Sequence, residues 1–237
     1  MDPFDLLLAN LVVVVGAIIQ ASTGVGGGFV VVPALAAIDV FLIPGPMILA
    51  SLPLSIAMAL RGRQTLDTAH FPAIAWGLVP GSIAGAWLLT RVPLENAGAL
   101  FGGVVLIAVG LSVAGLVVPL GRWSCALTGA VAGVCGTSGG NGGVVLALLY
   151  QHADGPILRA TLGLLYALAS ALMLCILALF GRFGAHELAL GLLLVPGFLL
   201  GFVLSGRIAT ALDGGHARSA VLTLAVASAL ALIASSL

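Results

Sequence analysis

Lysine is absent from this 237-residue chain, and only 7% of its residues are charged, against roughly a quarter in soluble domains. The eight Lys+Arg positions are therefore all arginine, and they balance eight acids to a net charge of zero. With no net charge and no basic run, the chain lacks the electrostatic footprint of a nucleic-acid binder. The three cysteines, Cys125, Cys135 and Cys175, form no CxxC pair, and an odd count fits neither a disulfide framework nor a zinc site. A P-loop needs a lysine that does not exist here, and GVGGGF lacks the third dinucleotide-binding glycine at Phe29. No cofactor and no metal are expected. The opening MDPFDLLL carries no basic segment, so it is not expected to be a cleaved signal peptide.

What remains is apolar: 61% of the residues are hydrophobic and the mean hydropathy is +1.27. The runs are continuous rather than alternating segments of about ten residues, which selects membrane helices over a β-barrel. An internal repeat organises them. VPGSIAGAWLLTR (79–91) matches VPGFLLGFVLSGR (195–207) without a gap, and STGVGGGFV (22–30) matches TSGGNGGVV (137–145) at nearly the same offset. The repeat divides the chain into halves of about 1–118 and 122–237. Full spans are expected near 46–62, 71–90 and 98–118, then near 157–180, 187–206 and 217–236.

The first element of each half differs. Residues 5–38 and 123–151 are too long for one span and too short for two, and each is cut in the middle by its glycine motif. Either a broken helix crosses, or a helix pair returns to its starting side. Return makes the two halves inverted and places Arg61, Arg63, Arg122, Arg159, Arg207 and Arg218 on one side, with only Arg91 and Arg182 on the other. Crossing would split the arginines evenly. The excess of basic residues on cytoplasmic loops favours return, with both termini outside. The expected fold is all-α and polytopic: two inverted-topology repeats, each a helix–break–helix element plus three transmembrane helices.

Helix breaks at membrane depth are tolerated only where protein or a cavity covers them, and inverted repeats with broken helices commonly hold a substrate there. The half-helices resuming at FVVVPAL and VVLALLY would point their N-termini inward, with free N–H groups and a positive dipole end. A small anion suits such a site, although the C-terminal ends of the preceding arms partly offset the field. The candidate binding residues are Ser22, Thr23, Gly24, Gly26, Gly27 and Gly28 in the first motif. In the second they are Thr137, Ser138, Gly139, Gly140, Asn141, Gly142 and Gly143. Gln20 and Cys135, which the repeat aligns just before the motifs, are candidates to line the same cavity. Ser55 and Ser170, which the repeat relates, are expected in the next spans and could face the same cavity. His152, with Asp154, is the candidate mouth or gate. The paired glycines Gly81/Gly85 and Gly197/Gly201 read instead as helix-packing positions. No acid falls at mid-membrane depth, which leaves no obvious coupling carboxylate.

TGVGGGFVVVP, repeated after about 115 residues in a chain of this size, resembles the TauE/SafE sulfite-exporter family over essentially its whole length. The second motif departs from that form, with Asn141 among its glycines and Leu148 where the first has Pro33. The resemblance implies a secondary transporter or exporter of a small sulfur-containing anion: sulfite, thiosulfate, sulfoacetate or a related organosulfonate. It also implies residence in a bacterial inner membrane and a lipid bilayer and a small anion as partners. Three alternatives stay open: an anion channel with the same site, a membrane protein handling thiols through Cys135, and an assembly factor that binds no anion.

Overall fold

The computed structural model describes residues 2–93, 96–114 and 118–212, with isolated positions 223, 226, 227, 229, 230 and 234. The span expected at 217–236 therefore falls almost wholly outside the described residues, as do Glu95, Asp213, His216, Arg218 and the side chain of Arg207. The described residues are helical throughout. In order they form α1 (Pro3–Thr23), α2 (Gly27–Ile38), α3 (Gly45–Arg61), α4 (Phe71–Arg91), α5 (Ala97–Val113), α6 (Arg122–Gly139), α7 (Gly143–Tyr150), α8 (Gly155–Leu179) and α9 (Ala185–Leu212). Two single 3₁₀ turns, Val40–Leu42 and Arg63–Thr65, lie on either side of α3. Among the described residues, four helices are long and apolar enough to cross a membrane: Pro3–Thr23, Phe71–Arg91, Gly155–Leu179 and Ala185–Gly206. With the shorter apolar helices α2, α3 and α5 around them, the chain is a multi-pass membrane protein.

Each glycine motif ends one helix and starts another, and the second folds back along the first. Gly27 of α2 sits against Gly16 and Gln20 of α1, and Gly16 in turn lies against Val31. Gly142, which precedes α7, packs on Ala132 and Gly136 of α6. The arms are unequal, which corrects the expectation of half-helices cut at the middle. α1 has 21 residues and α2 has 12; α6 has 18 and α7 has 8. At 1.5 Å per residue α1 alone is roughly 31 Å long, so it is a full-length helix with a short return arm. No proline falls in α1 between Pro3 and the glycine cluster, and nothing in it stops the helix earlier.

Tight helix pairs bring these hairpins together. Gly77, Gly81 and Gly85 recur once per turn along α4 and face Ala126, Ala130 and Val134 of α6. Gly129 and Gly133 of α6 face Ile74, Leu78 and Ser82 in return. A Cβ at Gly81 would overlap the Ala130 carbonyl, and one at Gly85 would stand 2.7 Å from the Val134 carbonyl. The same packing joins α1 to α9, where Gly197 faces Asn10 and Val13, and Gly201 lies 2.5 Å (measured from an added Cβ) from Ala17. Lipid tails give apolar helices no reason to associate, so close backbone approach at small residues supplies the contact energy.

Asn10 adds a polar clamp to that second pair. Pro196 interrupts the α9 hydrogen-bond ladder, because it has no N–H and its ring crowds the preceding turn. The Asn10 amide bridges the opening: its Nδ2 donates to Leu193 O at 3.2 Å, and its Oδ1 accepts from Gly197 N–H at 3.1 Å. Leu193 O and Gly197 N–H are the pair an unbroken helix would join to each other. At the far end, Arg61 closes α3 onto α9. It donates to Ser205 Oγ and Phe202 O, both at 3.3 Å, and its guanidinium lies 3.8 Å from the Phe202 ring centre.

Three substitutions test this packing. Gly81→Ala is expected to lower stability by about 1–3 kcal/mol, because backbone faces the new methyl group. Gly103→Ala, with nothing within 4 Å of its added Cβ, should be neutral or slightly stabilising. Asn10→Leu is expected to cost about 1–3 kcal/mol by leaving Leu193 O and Gly197 N–H without their partner. Thermal unfolding of the detergent-solubilised proteins reads all three.

Candidate functional site

The first break is a turn of three residues between α1 and α2. Gly24 (φ 89°) ends α1 with its N–H on Gln20 O at 2.8 Å, and Gly26 (φ 99°) begins α2. The second break has one left-handed residue, Gly140 (φ 73°), whose N–H bonds Gly136 O at 2.8 Å. Side chains other than glycine rarely adopt these backbone angles. The hydroxyl of Thr23 tightens the first turn, donating to Ile19 O at 2.8 Å and accepting from Val25 N–H at 3.2 Å.

Between the two breaks, α3 and α8 enclose a cavity of about 70 Å³, room for about five water molecules or one small anion. Gln20, Gly26 and Gly28 line it from the first hairpin, and Gly136, Gly140, Gly142 and Gly143 from the second. Ser51 and Ser55 of α3 and Tyr166 and Ser170 of α8 supply hydroxyls, and Met47, Ile48 and Met173 close the apolar side. No acid, histidine or arginine is in the lining. The first N–H groups of α2 and α7 have no intrahelical acceptor, and both helices begin at this wall.

The sequence-derived candidates divide by position. Gln20, Gly26, Gly28, Gly140, Gly142, Gly143, Ser55 and Ser170 are brought together in the cavity wall. Gly24, Gly27 and Gly139 are used for packing instead, against Leu158, Gly16 and Val104 respectively. Ser138 donates to Val134 O at 2.6 Å within its own helix, and Thr137, fully buried, lies beside Gly85 of α4. Ser22 is 3% exposed and its hydroxyl has no partner. Cys135 is a free buried thiol outside the lining. His152 and Asp154 are exposed beyond α7 and do not reach the cavity. Among the described residues no three His, Cys, Asp or Glu side chains gather as a metal site would require.

Asn141 is the most informative of the candidates. It stands behind the cavity wall, beside Gly28, rather than in it; it is 3% exposed and its Nδ2 has no hydrogen-bond partner. Its side chain crosses to the other hairpin, so that a Cβ on cavity-lining Gly28 would stand 2.6 Å from Asn141 Oδ1. A buried amide donor left unpaired costs roughly 1–3 kcal/mol, and here it stands between two helix N-termini.

Three participants had no signal in the sequence. Tyr166 lines the cavity, and its hydroxyl lies 3.2 Å from Gly24 O and 2.9 Å from Gly143 O, one carbonyl from each break. Ser51 joins it in the wall. Arg159, read as a loop residue, belongs to the first turns of α8 and donates to Ser22 O at 3.3 Å, in the last turn of α1. No periodicity marks these residues, because each acts across more than a hundred positions of chain or from a neighbouring helix.

The arrangement presents neutral donors and helix N-termini to a cavity sized for a small anion. No curated protein and no solved structure matches the chain. The family model "Sulfite exporter TauE/SafE" matches residues 8–232, a stretch that holds both breaks and the whole cavity wall, and the chain belongs to that family of membrane exporters.

Proposed function

We propose that this protein is a secondary transporter that exports a small sulfur-containing anion, binding it in the cavity between the two glycine breaks. The observation that carries the reading is the unpartnered Nδ2 of Asn141, buried between the N-termini of α2 and α7. Sulfite, thiosulfate and organosulfonates such as sulfoacetate share an oxygen-rich anionic head, and a carboxylate-free wall does not repel it. The oxygens accept from the first N–H groups of α2 and α7, from Asn141 and from the hydroxyl of Ser170; the Ser55 hydroxyl, which donates to Ser51 O at 3.0 Å, joins them only by turning from its own helix. Each such bond to a charged acceptor is worth more than a neutral one.

The opposing field of the preceding arms has a counterweight. The C-terminal end of α1 carries about half a negative charge, and Arg159 sits on it through Ser22 O. The guanidinium offsets that end and leaves the N-terminus of α2 as the net field at the first break. An anion is thus favoured without any full charge inside the cavity.

Inverted halves, 1–118 and 122–237, complete the reading. Two hairpins that return to their starting side leave each half with an odd number of crossings, and the six-to-two division of arginines supports the same orientation. Both termini then face the outside of the cell membrane, an inner membrane in a bacterium. Access to the cavity alternates, and the close-packed pairs α4–α6 and α1–α9, each with one helix from either half, are the units that move about it.

Isothermal calorimetry on purified protein with sulfite, thiosulfate, sulfoacetate, taurine, sulfate and chloride tests this directly. One sulfur anion is expected to bind, and Asn141→Ala is expected to weaken it by about 1.5–3 kcal/mol, roughly 10- to 100-fold in Kd. Arg159→Gln should weaken it by about 1 kcal/mol, roughly fivefold. Absence of binding by any of these anions to folded protein would overturn the reading. In vesicles preloaded with the same anion, a carrier accelerates uptake of labelled anion by exchange; uptake indifferent to preloading would identify a channel instead.

A further inference from the structure

Tyr166 joins the two breaks through one hydroxyl group. It is 7% exposed, its ring lies against Gly143, and its oxygen is within hydrogen-bonding distance of Gly24 O and Gly143 O at 3.2 and 2.9 Å. A phenol carries a single hydrogen, so the two carbonyls compete for it and neither is fully served. Gly24 belongs to the end of α1 and Gly143 to the start of α7, and no other side chain is hydrogen bonded to both breaks among the described residues. The same Tyr166 forms part of the cavity wall.

An anion entering the cavity is a third and stronger acceptor, since a hydrogen bond to a charged oxygen is about twice as strong as a neutral one. We propose that Tyr166 is a ligand-responsive latch: its O–H holds the two breaks together while the cavity is empty and turns to the anion when one binds, releasing Gly24 from Gly143. No proton is transferred; the hydrogen changes acceptor. Gly143 O keeps the acceptor position it has in the α7 ladder, and Gly24 O, at the turn of the first break, is free to move with α1. The inference rests on the anion site proposed above and adds how its occupancy reaches the backbone. It also gives Tyr166 a part in affinity that its neighbours Ala169 and Met173 in the wall do not share.

Tyr166→Phe keeps the ring and removes only the hydroxyl. Its affinity for sulfite and thiosulfate is expected to fall about tenfold by calorimetry. The state of the latch is read separately by alkylation of a cysteine placed at Ser22, which is buried beside the first break and outside the cavity wall, in protein carrying Cys125→Ala, Cys135→Ala and Cys175→Ala. With Tyr166 intact, Ser22→Cys should react slowly without anion and several-fold faster with saturating thiosulfate or sulfite. In the Tyr166→Phe background it should react fast in both conditions. Slow alkylation of the Tyr166→Phe protein that the anion still accelerates, or unchanged affinity, overturns the latch. If neither anion binds, the transport reading falls, and the comparison of the two proteins without anion still decides whether Tyr166 holds the breaks closed. Should Ser22→Cys fail to fold, Ser170→Cys in the cavity wall gives that same anion-free comparison.

Discussion

The whole molecule depends on helices approaching until their backbones touch. Along α4 and α6 a glycine or alanine stands at the contact in every turn, and an added methyl at Gly77, Gly81 or Gly129 would run into a carbonyl of the other helix. That proximity does more than hold the bundle. Ser82 and Thr137 are buried in the α4–α6 contact, so the end of α6, and with it the second break, is placed by the packing of α4. On the other side α9 places α1, with Asn10 supplying the hydrogen bonds that Pro196 disturbs. The two breaks face each other because two close-packed pairs fix the helices that lead into them.

A second constraint follows from the first. Once the hairpins meet inside an apolar bundle, every backbone group freed by a break needs a partner, since lipid offers none. Local groups meet much of that need: Thr23 serves Ile19 O and the Val25 N–H, and the Gly24 and Gly140 N–H groups cap the ends of α1 and α6. Arg159 and Tyr166 come from α8 to the carbonyls of Ser22, Gly24 and Gly143. Carbonyls at the breaks are thus well provided for, while the buried Asn141 amide beside them keeps a donor without a partner. On the proposed reading, that donor is what favours an anion.

Much of this was legible in the sequence because it depends on period and composition. The apolar runs predicted spans at 46–62, 71–90 and 157–180, and the helices are Gly45–Arg61, Phe71–Arg91 and Gly155–Leu179. Glycines spaced four apart, such as Gly81 and Gly85, marked close packing. The unequal arms of the breaks were not visible, since a glycine cluster tells where a helix ends and not how far its arms extend. The hydroxyls of Thr23 and Ser138 looked like ligands but serve their own backbone, the usual competition for such side chains. Tyr166 and Arg159 were hidden for another reason. Their partners, Gly24 and Ser22, lie 142 and 137 residues away, and only the folded chain sets them side by side.

The mismatch between the two motifs has a backbone explanation. The repeat aligns Asn141 with Gly26 and Gly140 with Val25. In the first break the left-handed residues are Gly24 and Gly26, so position 26 tolerates little besides glycine. In the second, α6 continues one residue further, through Gly139, and the single left-handed residue is Gly140. Position 141 is thereby released from the glycine requirement and can carry a side chain. The amide it carries is received by the other hairpin, where Gly28 has no Cβ to block it. A Cβ at position 28 would press on Asn141 Oδ1 and push the amide out of the space between the helix N-termini. Glycine at 28 and asparagine at 141 are therefore one feature, and the asymmetry of the breaks is what places an amide donor between the two helix N-termini.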